Sequence, residues 1–173
     1  VYHLVGKMAD VCVYLNDPTP FHVFGIAETR LSPNIPDIAV KVSNYSVIRR
    51  DPSVPGQTGL AVYIHDSIRA IARRRRDLET ESVECIWIEV KDLHTSPLLL
   101  CFLYRNPNST FEWYDKFLHM SEKVCLGKAS VLILGDFNID MMKSHVAWDS
   151  TTPLLGLKQL VNSPTRVTPT TST

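Results

Sequence analysis

Gly135, Asp136, Phe137 and Asn138 follow directly on the apolar run at 131–134. That run is short, aliphatic and partly β-branched, so it reads as a buried strand. A strand that closes on Gly and then presents Asp and Asn sets a carboxylate and a carboxamide at a sheet edge, where open α/β architectures keep their chemistry. An anionic acceptor two residues from an amide suits a hard cation, a water nucleophile or a phosphate oxygen. The plain alternative is a strand followed by an Asp/Asn turn, which the same residues also satisfy.

Two other apolar runs end in groups of the same kind. Residues 21–27 read as a strand that finishes at Glu28-Thr29. Residues 98–104 are apolar throughout, as in a central strand buried on both faces. That run ends at Tyr104 and opens Tyr104-Arg105-Asn106-Pro107-Asn108-Ser109. A lone strand-end Glu or a lone Tyr-x-x-Pro is weak. The order and spacing of Glu28, Tyr104, Asp136 and Asn138 together are specific, and they suit one phosphate-centred site.

The elements that must hold these residues follow from periodicity. Leu4, Met8, Val11, Cys12 and Leu15 have helical spacing, and Pro18 and Pro20 end that helix. Residues 32–43 carry Pro33 and Pro36 and read as loop; 45–48 and 60–64 read as strands joined by a polar hairpin loop at 49–59. Cys85 to Val90 alternate as a strand does. Ser109 and Glu112 make a capping box, behind which Trp113, Phe117, Met120 and Val124 form one helical stripe, stopped by Gly127. A short helix is expected around 154–161, and residues 163–173 show no core pattern. Hairpin-spaced strands mixed with helical crossovers predict a layered α/β (α+β) fold with a mixed sheet.

With 173 residues, the chain is expected to be one domain or most of one, and its 45% hydrophobic residues suffice for a core. The 18 basic residues are balanced by 18 acidic ones, so no global field draws it to a polyanion. The basic run 73–76 is a candidate phosphate-contacting loop, but its neighbours Asp77, Glu79 and Glu81 favour a balanced, solvated inter-strand loop. Cys12, Cys85, Cys101 and Cys125 form no close pair and read as thiols of a reducing compartment, not a zinc site. The six histidines show no metal-ligand spacing, and Asp140 reads as a surface residue. Nothing reads as a signal peptide or a bilayer-length apolar span, so an intracellular location with no membrane is expected.

At this point the chain resembles the endonuclease/exonuclease/phosphatase superfamily, the DNase I-like fold shared with the abasic-site endonucleases. Within it, the likeness leans to the N-terminal endonuclease domain of LINE-type non-LTR retrotransposons. The carrying segments are Gly25-Ile26-Ala27-Glu28-Thr29-Arg30-Leu31, Thr58-Gly59-Leu60-Ala61-Val62-Tyr63-Ile64, Glu84-Cys85-Ile86-Trp87-Ile88-Glu89-Val90, Tyr104 to Ser109, Leu134 to Asp140 and Ser163-Pro164-Thr165-Arg166. Glu-Thr-x-Leu and Gly-Asp-Phe-Asn are the superfamily's motifs. Tyr-Arg-x-Pro-x-Ser and Pro-Thr-Arg lean to the retrotransposon branch. Thr58 and Asn106 depart from it, standing where that branch usually has Gly and Pro.

The resemblance implies two packed sheets flanked by helices, a divalent cation (Mg²⁺ or Mn²⁺) on Glu28, and DNA as substrate. It implies that Tyr104 contacts the scissile phosphate, that Asp136 orients or deprotonates the attacking water, and that Asn138 holds a phosphate oxygen or the metal's shell. It also implies a reverse transcriptase domain in a full-length product, and a nuclear site of action. The family's opening strand with its Asn, its late-strand Asp and its Ser-Asp-His have no match here. Residues 1–173 are therefore expected to be a single partial domain that lacks the first and last strands, exposes a sheet edge and nicks DNA little or not at all. The alternatives are a remnant that keeps the fold with a binding role or none, and a phosphatase of the same superfamily.

Overall fold

The computed structural model describes residues 3–91, 96–127 and 129–165. A 3₁₀ turn at Leu4–Lys7 leads into helix α1 (Met8–Leu15), followed by strands β1 (Val23–Ala27), β2 (Tyr45–Arg50) and β3 (Leu60–His65). Strands β4 (Ala72–Arg74), β5 (Glu84–Val90) and β6 (Leu98–Tyr104) come next, then helix α2 (Glu112–Cys125), strand β7 (Ser130–Asp136) and helix α3 (Val146–Leu154). The strands form two sheets, ordered β1-β3-β2 and β4-β5-β6-β7. Every pair is antiparallel except β6 and β7, which run parallel across the α2 crossover. The second sheet is thus mixed, as the alternation of hairpins and crossover predicts.

The period of two in the strands sorts the core into three layers of side chains. Leu60, Val62 and Ile64 of β3 meet Ile86 and Ile88 of β5 and Leu100, Phe102 and Tyr104 of β6 between the sheets. The alternate residues of β5 and β6, Cys85, Trp87, Leu99, Cys101 and Leu103, face outward onto Trp113, Phe117, Met120 and Val124 of α2. Ala61 and Tyr63, the alternate residues of β3, pack with Leu4, Val11 and Leu15 at the N-terminal helix. Two sheets lie face to face with helices outside, and the central strand β6 is buried along nearly its whole length.

Several local expectations are corrected. The first strand begins at Val23, not at residue 21. The loop at 32–43 contains a 3₁₀ turn, Asp37–Val40, and Arg49 and Arg50 belong to β2, not to the hairpin loop. No capping box forms, because α2 starts at Glu112 with Phe111 as its N-cap and no side-chain cap. The chain is still turning through Asn106–Ser109 at that point, with the Asn108 N–H on Asn106 Oδ1 at 2.9 Å, and Glu112 pairs with Lys116 at 2.8 Å instead. The last helix lies earlier than 154–161. Asp149 accepts from Ser144 Oγ at 2.7 Å and from the His145 N–H at 2.9 Å, which fixes its start, and Gly156 at φ +65° follows its end. Most of the 163–173 tail, with Arg166 of the Pro-Thr-Arg segment, lies outside the described residues.

The basic run is not a free loop. Arg73 and Arg74 stand in the edge strand β4, and Arg73 pairs with Glu89, Arg74 with Glu79 (2.7 Å), and Arg75 with both Asp77 (2.7 Å) and Glu89 (2.9 Å). Glu89, opposite in the β5 register, takes the balancing part that the sequence suggests for Glu81.

Candidate active site at one end of the sandwich

The register places two of the candidates and a further carboxylate in one row. Glu84 opens β5 opposite Tyr104, which closes β6 opposite Asp136, which closes β7. Directly paired residues point to the same face of a sheet, here the face turned toward the other sheet. Glu28 arrives from that other sheet, one residue beyond β1, and accepts a hydrogen bond from the Tyr104 hydroxyl at 2.7 Å. Glu28, Tyr104 and Asp136 thus come together where β1, β6 and β7 end.

The loops around them are held in defined shapes. Glu28 and Asn138 both adopt left-handed backbone, with φ of +57° and +49°, unusual for residues other than Gly and concentrated at functional sites. The Thr29 N–H reaches Gly59 O at 3.2 Å and the Arg30 N–H reaches Thr58 O at 2.7 Å, clamping the Glu28 turn to the start of β3. Gly59, at φ +91°, has no room for a Cβ, which would sit 2.4 Å from Thr29 Oγ1. In the Asp136 turn, the Asn138 N–H bonds Asp136 Oδ1 at 3.0 Å, and the Asn138 amide group donates to Arg105 O at 2.8 Å. That second bond turns the Asn138 carboxamide back to the protein, while Asp136 stays exposed. Asn106 donates to Gly56 O at 3.0 Å, a bond that proline in its place could not make.

The electrostatics separate a proton donor from acceptors. Tyr104 is 4% exposed. Its hydroxyl pKa is raised well above the usual phenol value, first by burial, then by the hydrogen bond to Glu28, then by the negative charges of Glu28, Asp136 and Glu84. It remains a protonated donor at neutral pH. Glu84 is 6% exposed, and burial pushes its carboxyl up against the pull of the Gly59 and Thr58 N–H groups. Those N–H groups occupy both of its oxygens, at 2.5 to 3.2 Å. Glu84 therefore braces the 58–59 loop behind Glu28. From the sequence, Glu84 is singled out only as the head of a segment that carries the resemblance, although a carboxylate at the start of a largely apolar strand was a usable signal of this role.

A groove of about 830 Å³ runs beside β7, lined by residues of 131–142, by Trp148, and by 156–161. It reaches Asp136 and Asn138 but not Glu28 or Tyr104, so it adjoins the strand-end cluster without containing it. Among the described residues, no group of three or more His, Cys, Asp or Glu is arranged to hold a metal ion. The donor set still fits a hard cation: Mg²⁺ is commonly bound by one or two carboxylates, with water and substrate phosphate completing its shell. Glu28 accepts the Tyr104 hydroxyl on Oε1 and Asp136 accepts the Asn138 N–H on Oδ1, so each carboxylate is held through one oxygen.

No protein-family model matches the chain. No curated protein matches it either. Among solved structures, it is similar to the AP endonuclease LMAP from Leishmania major, with a TM-score of 0.57 and 20% identity, over 79% of this chain and 51% of that enzyme. The fold is DNase I-like. The chain thus matches about half the length of that enzyme. Against this frame, Glu28, Tyr104 and Asp136 stand at strand ends on one end of the two-sheet sandwich, and Asn138 follows two residues behind Asp136. His119 lies exposed on α2, and His145 caps α3 with its Nε2 3.2 Å from the Tyr114 hydroxyl. Among the described residues no histidine is hydrogen-bonded to the four candidates.

Proposed function

We propose that the chain is a divalent-metal-dependent phosphodiesterase domain, of the DNA-nicking kind carried with a reverse transcriptase by LINE-type non-LTR retrotransposons, and that these 173 residues alone nick slowly. The observation that carries the reading is the Tyr104–Glu28 hydrogen bond, with Asp136 next to Tyr104 in register. It joins a held phenol and two hard carboxylates from separate elements at one spot. Such a trio suits hydrolysis at a phosphate.

Glu28 and Asp136 are the residues that would hold Mg²⁺ or Mn²⁺, with Asn138 beside them. When bound, the cation neutralises charge on the phosphoryl oxygens and assists the leaving oxygen. Tyr104, protonated and fixed by Glu28, donates toward a phosphate oxygen. Asp136, exposed and acceptor-only, orients the attacking water and takes its proton. The Asn138 turn sets the Asp136 rotamer through its N–H. No imidazole joins this group among the described residues, and a missing acid or base commonly costs about 10² to 10⁴ in rate. If the product acts on chromosomal DNA, its place is the nucleus.

Supercoiled plasmid incubated with protein in excess tests the reading. Slow nicking that requires Mg²⁺ or Mn²⁺, stops on chelation and disappears in Asp136→Ala is the expected result. Nicking that is absent, or equal in Asp136→Ala, overturns the phosphodiesterase assignment. Fast multiple-turnover nicking overturns the assignment of slow activity.

A further inference from the structure

We propose that Arg105 is a positioning residue for Asp136 and Asn138: its buried guanidinium holds the 136–138 turn from behind, fixing the groups that would meet a phosphodiester. The consequence for activity rests on the phosphodiesterase reading; the positioning itself rests on geometry.

Arg105 is 6% exposed, yet it has no carboxylate within 4.0 Å among the described residues. Its guanidinium instead sits over the rings of Trp113 and Tyr114, 5.6 Å and 5.3 Å from their centroids. Nη1 points at two carbonyls at once, Phe137 O and Asn138 O, each at 3.4 Å. Nη2 donates to Ser109 O at 3.1 Å. The same residue's backbone completes the clamp: its N–H donates to Asp136 O at 2.8 Å, and its carbonyl accepts from the Asn138 carboxamide at 2.8 Å.

Every residue of the 136–138 turn is therefore bonded to Arg105. A left-handed Asn persists only where its surroundings over-determine it. An apolar side chain would serve mere packing at least as well, because a buried cation carries a desolvation cost that ordinary cores avoid. Among the described residues the cation has no ion-pair partner. Its fork-shaped set of donors spans three carbonyls, two of them in the 136–138 turn, which a single point donor cannot match.

Arg105→Met and Arg105→Lys in the 173-residue chain test this. The first readout is hydrogen exchange of the Asn138 side-chain amide by NMR, with the amides of β6, α2 and β7 as reference. The second is single-turnover plasmid nicking with Mg²⁺, followed against protein concentration. In Arg105→Met the Asn138 amide should exchange at least 10-fold faster while the reference amides hold, and the maximal nicking rate should fall at least 10-fold with the half-saturating protein concentration within 3-fold. Arg105→Lys keeps the charge but loses the fork, and should fall between. If Arg105→Met does not fold, Arg105→Lys carries the same readouts. An Asn138 amide as protected as in wild type overturns the proposal whatever the activity. So does a uniform loss of protection, which marks a general packing residue, and so does an unchanged maximal rate once the amide is released. Absence of metal-dependent nicking in wild type defeats the phosphodiesterase reading alone, and the Asn138 exchange still decides the positioning.

Discussion

Gly135 is the residue on which the Asp136 end of the site depends most directly. It has φ +147°, and a Cβ there would lie 1.9 Å from Leu103 O on the neighbouring strand. No side chain fits without parting β6 from β7, the pair that sets Tyr104 opposite Asp136. Gly135→Ala should therefore cost about 3 kcal/mol or more, combining an unfavourable φ with a backbone clash. Urea unfolding followed by tryptophan fluorescence checks this. A loss below about 1 kcal/mol, or a gain such as an unstrained Gly→Ala change gives, would show that the strand pair yields easily. Residue identity also explains why the strand-end motif is readable from sequence: Gly, Asp and Asn at those positions each answer a local backbone or acceptor requirement.

Strand β4 shows what sequence could not say about an element. Three residues are too few to carry a period, and the arginines resembled a solvated loop. Pairing with β5 places Arg73 and Arg75 about Glu89, and the hydrogen bond from Arg73 holds the Glu89 carboxyl below its usual 4.5, helped by the charges of Arg73 and Arg75. A carboxyl lowered in the folded state adds stability above its unfolded pKa, and that stability is lost as pH falls through the folded value. Wild type should therefore lose part of its stability below about pH 4.5, and Glu89→Gln should lose less over the same interval. Urea midpoints at neutral pH and near pH 3 make the comparison. An equal acid loss in both proteins would mean that the Glu89 cluster contributes nothing to the acid limb. Helix α2, in contrast, was legible because fourteen residues repeat the stripe Trp113, Phe117, Met120 and Val124, and all four are buried.

At the scale of the molecule, β7 pairs only with β6 among the described residues, and the groove beside it leaves apolar surface open to solvent. Leu134 is 37% exposed on that strand, and Leu160 and Val161 are exposed on the facing segment. A strand with one free row of backbone donors and acceptors beside apolar surface invites edge-to-edge association. The 173-residue chain should self-associate with rising concentration, and Leu134→Lys should reduce this, as measured by light scattering after size exclusion. A wild-type chain that stays monomeric across that range would show that the edge is protected in solution.

The amino-acid sequence alone determined the local facts: which runs other than β4 are strands, where α2 lies, and which strand ends carry Glu28, Tyr104, Asp136 and Asn138. Each depends on periodicity or turn chemistry over a few residues, and so is written in consecutive positions. Tertiary structure decided what meets what. Glu28 and Tyr104 are 76 positions apart and touch only because the two sheets pack face to face. Glu84 becomes a brace only when β5 lies beside the Gly59 turn, and Arg105 becomes a clamp only when β7 pairs with β6. Contacts between distant segments leave no period in the chain, because they follow from which sheet edges and helix faces come together when the core closes.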